Sequence, residues 1–90
     1  MTAQRFLVTG RVQGVGFRWS AVQAAERIGV AGWVRNLPGG EVEALVAGDD
    51  DDVERMADWL RQGPPGARVD RLASAPADDA DAPSPFELRR

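Results

Sequence analysis

The spacing of hydrophobic residues changes abruptly between residues 12 and 17, and this change constrains the fold more than any other feature of the chain. Before it, apolar and polar residues alternate, which predicts a half-buried strand over Arg5–Val12. After it, apolar residues recur at helical spacing, which predicts a helix over Phe17–Ile28 that ends at Gly29. The chain must therefore pass from a strand to a helix through the short segment Gln13–Gly16, which contains two glycines.

The rest of the pattern predicts three further strands, a second helix and a short edge strand. Leu37–Gly40 has Pro at its second position and Gly at its third, as a type II turn requires, so a hairpin is expected here. The order β-α-β-β-α-β predicts one α+β domain over residues 1–90. Its expected architecture is a ferredoxin-like sandwich, with both helices on one face of an antiparallel-rich mixed sheet of four to five strands. The remaining predicted elements are a strand over Val30–Leu37, a strand over Glu41–Ala47, a helix between Asp49–Asp52 and Gly63, a strand over Ala67–Ala75, a loop over Asp78–Pro85 and a short strand over Phe86–Arg89.

The residue types that the chain lacks exclude several kinds of chemistry. It has no Cys and no His, and all 11 basic residues are arginines. Disulfides, Cys/His zinc sites, cysteine nucleophiles, His-based triads and lysine Schiff bases are therefore excluded. The net charge of −3 argues against general nucleic-acid binding. Without a run of about 18 apolar residues or a signal peptide, the chain is expected to be cytoplasmic and to have no membrane partner.

Gly14, Gly16 and Arg18 together predict an anion-binding cradle. Backbone N–H groups from a Gly-bearing turn and a helix start can converge on one phosphate, and a guanidinium can add paired hydrogen bonds. A strand–helix–strand crossover makes the first two strands parallel, so their C-terminal ends lie at the same edge of the sheet. Asn36 ends the second strand and should approach the cradle, across a gap of about 10 Å that the third strand occupies.

Two sequence motifs resemble the signature of the acylphosphatases, which are small hydrolases of acyl phosphates. Weaker agreement continues through Trp59-Leu60 and Phe86–Arg89, so the resemblance covers nearly the whole chain. Two long motifs at the family's spacing are far more specific than a single Gly-x-Gly. The motifs are Gly10-Arg11-Val12-Gln13-Gly14-Val15-Gly16-Phe17-Arg18 and Gly32-Trp33-Val34-Arg35-Asn36.

The resemblance implies a complete set of site residues. Arg18 would bind the charged phosphoryl oxygens, and Asn36 would position and polarise the attacking water. Strand alternation puts Arg35 and Asn36 on opposite faces, and the resemblance selects Asn36. It implies no metal, no cofactor and no covalent enzyme intermediate, a small-molecule acyl phosphate as the partner, and inorganic phosphate or another anion in the same site. The residues whose backbone N–H groups would hold the phosphoryl group are Gln13, Gly14, Val15, Gly16, Phe17 and Arg18.

Two other classes of function remain open at this point. A non-catalytic phosphate- or carbamoyl-phosphate-binding module, related to domains fused in larger maturation enzymes, would bind phosphate without turnover. A ferredoxin-like RNA- or partner-binding domain would bind RNA in a salt-sensitive way, but the aromatic strand pattern of an RNA-recognition module is missing. The start at Met1 and the tail to Arg89 favour a stand-alone enzyme, and the small size and acidic surface favour a monomer.

Taken singly, the site residues have ordinary structural explanations. Arg18 could be a surface residue of the helix and Asn36 could cap the hairpin turn, so only the joint pattern favours a site. Asp49–Asp52 lacks the spacing of an EF-hand loop, and we expect it to cap the second helix and to interact with the helix dipole. Packing in the core or at its rim, rather than ligand stacking, is expected of Trp19, Trp33 and Trp59.

Overall fold

The computed structural model describes residues 1–90 and contains the expected elements in the expected order. The element ends differ from those predicted by at most three residues. Neither α-helix has the length and the apolar run that crossing a membrane requires. The elements are β1 (Thr2–Arg11), α1 (Phe17–Ile28), β2 (Ala31–Asn36), β3 (Val42–Gly48), α2 (Asp50–Gln62), β4 (Arg68–Pro76), a short 3-10 helix (Asp79–Asp81) and β5 (Glu87–Arg89).

The five strands form one mixed sheet in the order β4-β1-β3-β2-β5. Strand β3 is antiparallel to both β1 and β2, so β1 and β2 run parallel to each other with β3 between them. Strand β5 pairs in parallel with β2 at the edge of the sheet. The predicted βαββαβ ferredoxin-like fold is thus confirmed. The C-terminal ends of β1, β2 and β5 lie at the same end of the sheet.

Both α-helices pack on the same face of the sheet and form the core with it. Helix α2 contributes Met56 and Leu60, which are fully buried, and burial of a side chain of this size contributes about 1.5–3 kcal/mol. Helix α1 contributes Phe17 and the small residues Ala21, Ala24 and Ala25. Alternate strand positions supply the rest of the core, which includes Phe6, Val8, Val34, Val42, Ala44 and Val46.

The other face of the sheet carries Trp33 and its register partner Leu45, which are 6% and 1% exposed. The guanidinium groups of Arg35 and Arg89 lie 5.0 and 5.1 Å from the centroid of the Trp33 ring. Arg35 also forms an ion pair with Glu43 at 2.6 Å. Alternation along β2 therefore directs Arg35 to this face and Asn36 to the face that the helices cover.

The predicted packing of the tryptophans is confirmed for two of the three. Trp33 is buried, and Trp59 is partly buried with its ring centroid 5.4 Å from that of Phe17. Trp19 is 65% exposed, so the prediction that it packs in the core or at its rim is wrong. Two residues of α-helix correspond to a rotation of about 200°, which turns Trp19 away from the buried face that Phe17 occupies.

The hairpin between β2 and β3 lies at the predicted position, but the predicted type II turn is wrong. The Gly40 N–H donates to the Leu37 carbonyl at 3.1 Å, which closes the turn. A type II turn needs left-handed backbone at Gly39, whereas the left-handed residue is Gly40, with a φ of 100°. This arrangement is typical of a type I turn followed by a G1 bulge, because the second glycine absorbs the left-handed conformation.

The acidic segment before α2 lies at the start of that helix, but the predicted side-chain cap is absent. Asp49 occupies the N-cap position and its side chain accepts no hydrogen bond from the helix. Asp50 instead accepts a hydrogen bond from the Thr2 hydroxyl, which connects the start of α2 to β1. Asp50, Asp51 and Asp52 lie in the first turn, where the helix dipole stabilises negative charge.

Candidate active site

The segment between β1 and α1 makes a tight turn through two glycines in left-handed backbone. Gly14 has a φ of 77° and Gly16 a φ of 75°, a conformation that residues with a Cβ rarely adopt. Gly16 immediately precedes α1, and no side chain caps the N–H groups of the first helical turn. Those N–H groups, with the positive end of the helix dipole, are available to an anion at this point.

Arg18 lies in the first turn of α1 and is held at the cradle by the edge strand. Its Nη1 atom donates a hydrogen bond to the carbonyl oxygen of Arg89 at the end of β5, at 2.9 Å. A guanidinium has five N–H donors, so this bond leaves further donors for a ligand. A cation at a helix N-terminus is opposed by the helix dipole, so a bound anion would stabilise this placement.

Asn36 is the last residue of β2 and shares a cavity with Arg18. The cavity has a volume of about 180 Å³. It lies at the end of the sheet where β1, β2 and β5 finish. Its lining consists of Val12, Gln13, Gly14, Gly16, Phe17, Arg18, Trp19, Asn36 and Leu88.

Two residues near the cradle do not line this cavity. The side chain of Val15 packs against the hydrophobic core, so any contact of Val15 with a ligand would come from its backbone N–H. Arg11 is exposed at the end of β1 and lies outside the lining. Arg18 is therefore the only charged residue around the cavity.

Gln13 connects the cradle to the β2–β3 hairpin through its side chain, a contact that the sequence analysis does not predict. Its Nε2 atom donates to the carbonyl of Leu37 at 2.8 Å and to that of Glu41 at 2.9 Å. The polar contacts of this turn are therefore backbone groups and Gln13, rather than a capping interaction from Asn36. The prediction considered only the backbone N–H of Gln13, and the one available signal was that the topology places the hairpin at the same sheet edge.

A larger cavity, of about 470 Å³, lies at the opposite end of the sheet. It is bounded by the end of α1, the start of β2 and the end of β3. Its lining contains three carboxylates, those of Glu26, Asp49 and Asp52, and the N-terminal residue Met1. Three carboxylates without a neighbouring arginine repel a phosphoryl group. The cavity that contains Arg18 and Asn36 combines a guanidinium, a helix N-terminus and a side-chain amide, and it is the candidate active site.

The fold and this cavity define an α+β sandwich with a glycine-rich helix start, an arginine and an amide at one sheet edge. The acylphosphatase family model matches residues 4–88. The acylphosphatase of Bordetella parapertussis is 54% identical over 74 residues, which are 82% of this chain and 79% of that protein. The acylphosphatase of Rhizobium meliloti is 52% identical over 83 residues, which are 92% of this chain and 87% of that protein.

The solved structure of acylphosphatase from Bacillus subtilis has the same fold, with a TM-score of 0.94 at 30% identity over 100% of both chains. The chain therefore belongs to the acylphosphatase family, and the resemblance of its two motifs is confirmed.

Proposed function

We propose that the chain hydrolyses acyl phosphates to a carboxylate and inorganic phosphate by direct attack of a water molecule that Asn36 orients. Membership in the acylphosphatase family makes the chain a hydrolase of acid anhydrides. The observation that carries the proposed mechanism is a single cavity containing the cradle glycines, Arg18 and Asn36.

The cradle and Arg18 would bind the phosphoryl group and stabilise charge on its oxygens. Phosphoryl transfer proceeds through a loose transition state, so positioning and charge stabilisation contribute most of the catalysis. Backbone N–H groups and a guanidinium are suitable donors, because they are fixed by the fold before the substrate binds. The hydrogen bond from Arg18 to the Arg89 carbonyl supports this role, since it restricts the guanidinium to the cavity.

Asn36 would orient the attacking water through its side-chain amide, which has both a hydrogen-bond acceptor and donors. The water oxygen forms a bond to phosphorus, and the bond from phosphorus to the acyl oxygen breaks. The electron pair leaves with the carboxylate, and the water proton passes to a phosphoryl oxygen of the substrate. A carboxylic acid has a pKa of about 4, so the leaving group needs no general acid at neutral pH.

Hydrolysis of benzoyl phosphate in the presence of EDTA tests the proposed reaction, with p-nitrophenyl phosphate as the comparison. We expect rapid turnover of the acyl phosphate alone, because the phenolate leaving group is far more basic than benzoate. Arg18→Gln and Asn36→Ala should each lower the rate by about 10² or more. Arg55→Gln, on the exposed side of α2, is the matched control and should retain the wild-type rate.

Hydrolysis in ¹⁸O-labelled water separates attack at phosphorus from attack at the acyl carbon. The proposed mechanism places the label in inorganic phosphate, whereas label in benzoate would overturn it. A folded wild-type protein that binds inorganic phosphate without turnover would support the non-catalytic binding module instead. If Asn36→Ala kept full activity, the proposed role of Asn36 in orienting the water would be wrong.

A further inference from the structure

Two of the three large hydrophobic side chains that the protein exposes line the candidate active site. The three are Met1, Trp19 and Leu88, which are 82%, 65% and 39% exposed. Trp19 and Leu88 both contribute to the cavity that contains Arg18 and Asn36. Exposed apolar side chains are ordinary when scattered, but a pair at a ligand cavity indicates a binding surface.

These two side chains come from different elements, and neither position is explained by core packing. Trp19 follows Arg18 on α1, on the side of the helix away from its buried residues. Leu88 lies on β5 in register with Val34, two residues before Asn36 on β2. The fold thus places one apolar side chain next to each proposed catalytic residue.

Trp19 also borders a second cavity, of about 380 Å³, which runs along α1 to Arg27 and is bounded by the end of α2 and the loop after it. Its lining is mixed: Trp19, Trp59, Pro64 and Pro65 are apolar, and Ser20, Gln23 and Arg27 are polar or charged. Because Trp19 is common to both cavities, a ligand group that leaves the cradle along the indole has room to extend.

The polarity of the site matches the two halves of one substrate class. Arg18 and the helix N-terminus favour a phosphoryl group in this cavity, and Trp19 and Leu88 add apolar surface to its lining, which favours an uncharged apolar group. We propose that Trp19 and Leu88 form an acyl subsite that selects acyl phosphates with a ring-sized or longer apolar acyl group. This inference rests on the proposed hydrolysis, and it disfavours small or polar acyl groups such as acetyl and carbamoyl.

The test compares kcat/KM for benzoyl phosphate with kcat/KM for acetyl phosphate in the wild type and in variants. The two leaving groups differ in intrinsic reactivity, so the informative quantity is the change in this ratio between proteins. Trp19→Ala should lower the ratio about tenfold, which corresponds to about 1.4 kcal/mol. Trp19→Phe retains an aromatic face and should restore most of the ratio, and Leu88→Ser should lower it about threefold.

Glu26→Ala is the matched control, because Glu26 is an exposed residue of α1 that lies at the opposite end of the molecule. It should leave the ratio at the wild-type value. Inhibition by the carboxylate products gives a second measurement, which reports binding of the acyl group rather than its turnover. The inhibition constant of benzoate relative to that of acetate should rise in Trp19→Ala by about the same factor as the kinetic ratio falls.

The outcomes distinguish the subsite from the reaction. If the wild type hydrolyses both substrates but Trp19→Ala and Leu88→Ser leave the ratio unchanged, the subsite is wrong and the hydrolysis stands. If the folded wild type hydrolyses neither substrate, both proposals fail. Equal losses for both substrates in Trp19→Ala would indicate a general role in the cradle and would also overturn the subsite.

Discussion

Replacement of Gln13 should weaken the connection between the cradle and the β2–β3 hairpin, and the structure indicates the size of the effect. The side-chain amide of Gln13 donates to the carbonyls of Leu37 and Glu41 at 2.8 and 2.9 Å. Gln13→Met keeps the length of the side chain but removes both donors. Because each hydrogen bond contributes about 0.5–1.5 kcal/mol, the free energy of unfolding should fall by about 1–3 kcal/mol.

The loss should stay within this range because neither carbonyl is left without a donor. The Leu37 carbonyl also accepts from the Gly40 N–H at 3.1 Å, and the Glu41 carbonyl from the Leu37 N–H at 2.9 Å. The additional penalty of about 1–3 kcal/mol for an unsatisfied buried acceptor therefore does not apply.

Gln13→Glu should make the same contact depend on pH. A carboxylate has no donor for the two carbonyls and is repelled by them, whereas a protonated carboxyl can donate to one. The pKa of the introduced carboxyl should therefore be higher in the folded protein than its unfolded value of about 4.3. The hydrogen bond of the protonated form is fully present below that unfolded pKa, and it is lost as the pH rises through the folded pKa.

Urea unfolding at pH 4 and pH 7, followed by tryptophan fluorescence, measures these differences against the wild type at the same pH. Gln13→Met should show the same deficit at both values, and Gln13→Glu a larger deficit at pH 7 than at pH 4. Hydrolysis by Gln13→Met should slow by about tenfold, because catalysis is sensitive to small misplacements of bound groups. Two results would refute the reasoning: a Gln13→Met protein as stable as the wild type, or a Gln13→Glu protein whose decrease in the free energy of unfolding is the same at both pH values.

Two glycine substitutions test the local backbone. Gly40→Ala should destabilise the protein by about 1–2 kcal/mol, because the φ of Gly40 is 100°, and Gly39→Ala should cost less, since only the end of the flexible Glu41 side chain must move. Urea unfolding measures the free energy of unfolding of both variants. A larger decrease for Gly39→Ala than for Gly40→Ala would indicate that the turn is type II after all. Gly32→Ala should cost about 3 kcal/mol or more, because a Cβ at this position would collide with the Leu45 carbonyl oxygen. If Gly32→Ala had the same thermal unfolding midpoint as the wild type, the prediction would be wrong, and β2 and β3 would be able to move apart to make room for the Cβ.

The secondary structure and topology could be predicted from the sequence, because its local hydrophobic patterns agree with the way the strands pair in the structure. The period change before Phe17 and the left-handed Gly29 at the end of α1 are local signals that the structure preserves. The turn type was not predictable in the same way. Gly39 and Gly40 can both adopt left-handed backbone, so the residue that does so depends on how β2 and β3 pair.

The side-chain contacts of the site were less accessible from the sequence. The amide of Gln13 reaches residues 24 and 28 positions away, and no local pattern specifies such partners. The exposure of Trp19 could be predicted from helix geometry, because a residue two positions after the buried Phe17 lies on the opposite side of the helix. The general tendency of tryptophan to be buried led to the wrong expectation. Arg18 is predicted from its place after the two glycines, and Asn36 is selected over Arg35 by the resemblance of its motif; the topology explains why both lie at the same end of the sheet.

The hydrogen bond from Arg18 to the Arg89 carbonyl joins residues 71 positions apart in a chain of 90. Contacts at such separation require closure of a long loop and form late in chains whose native pairings are mostly non-local. Strand β5 has only three residues, all exposed, and its pairing depends on a β2 strand that is already in place. During refolding, the fluorescence of Trp59, which packs against the core, should therefore recover before acyl phosphate hydrolysis does, because Arg18 is oriented only once the last strand has docked.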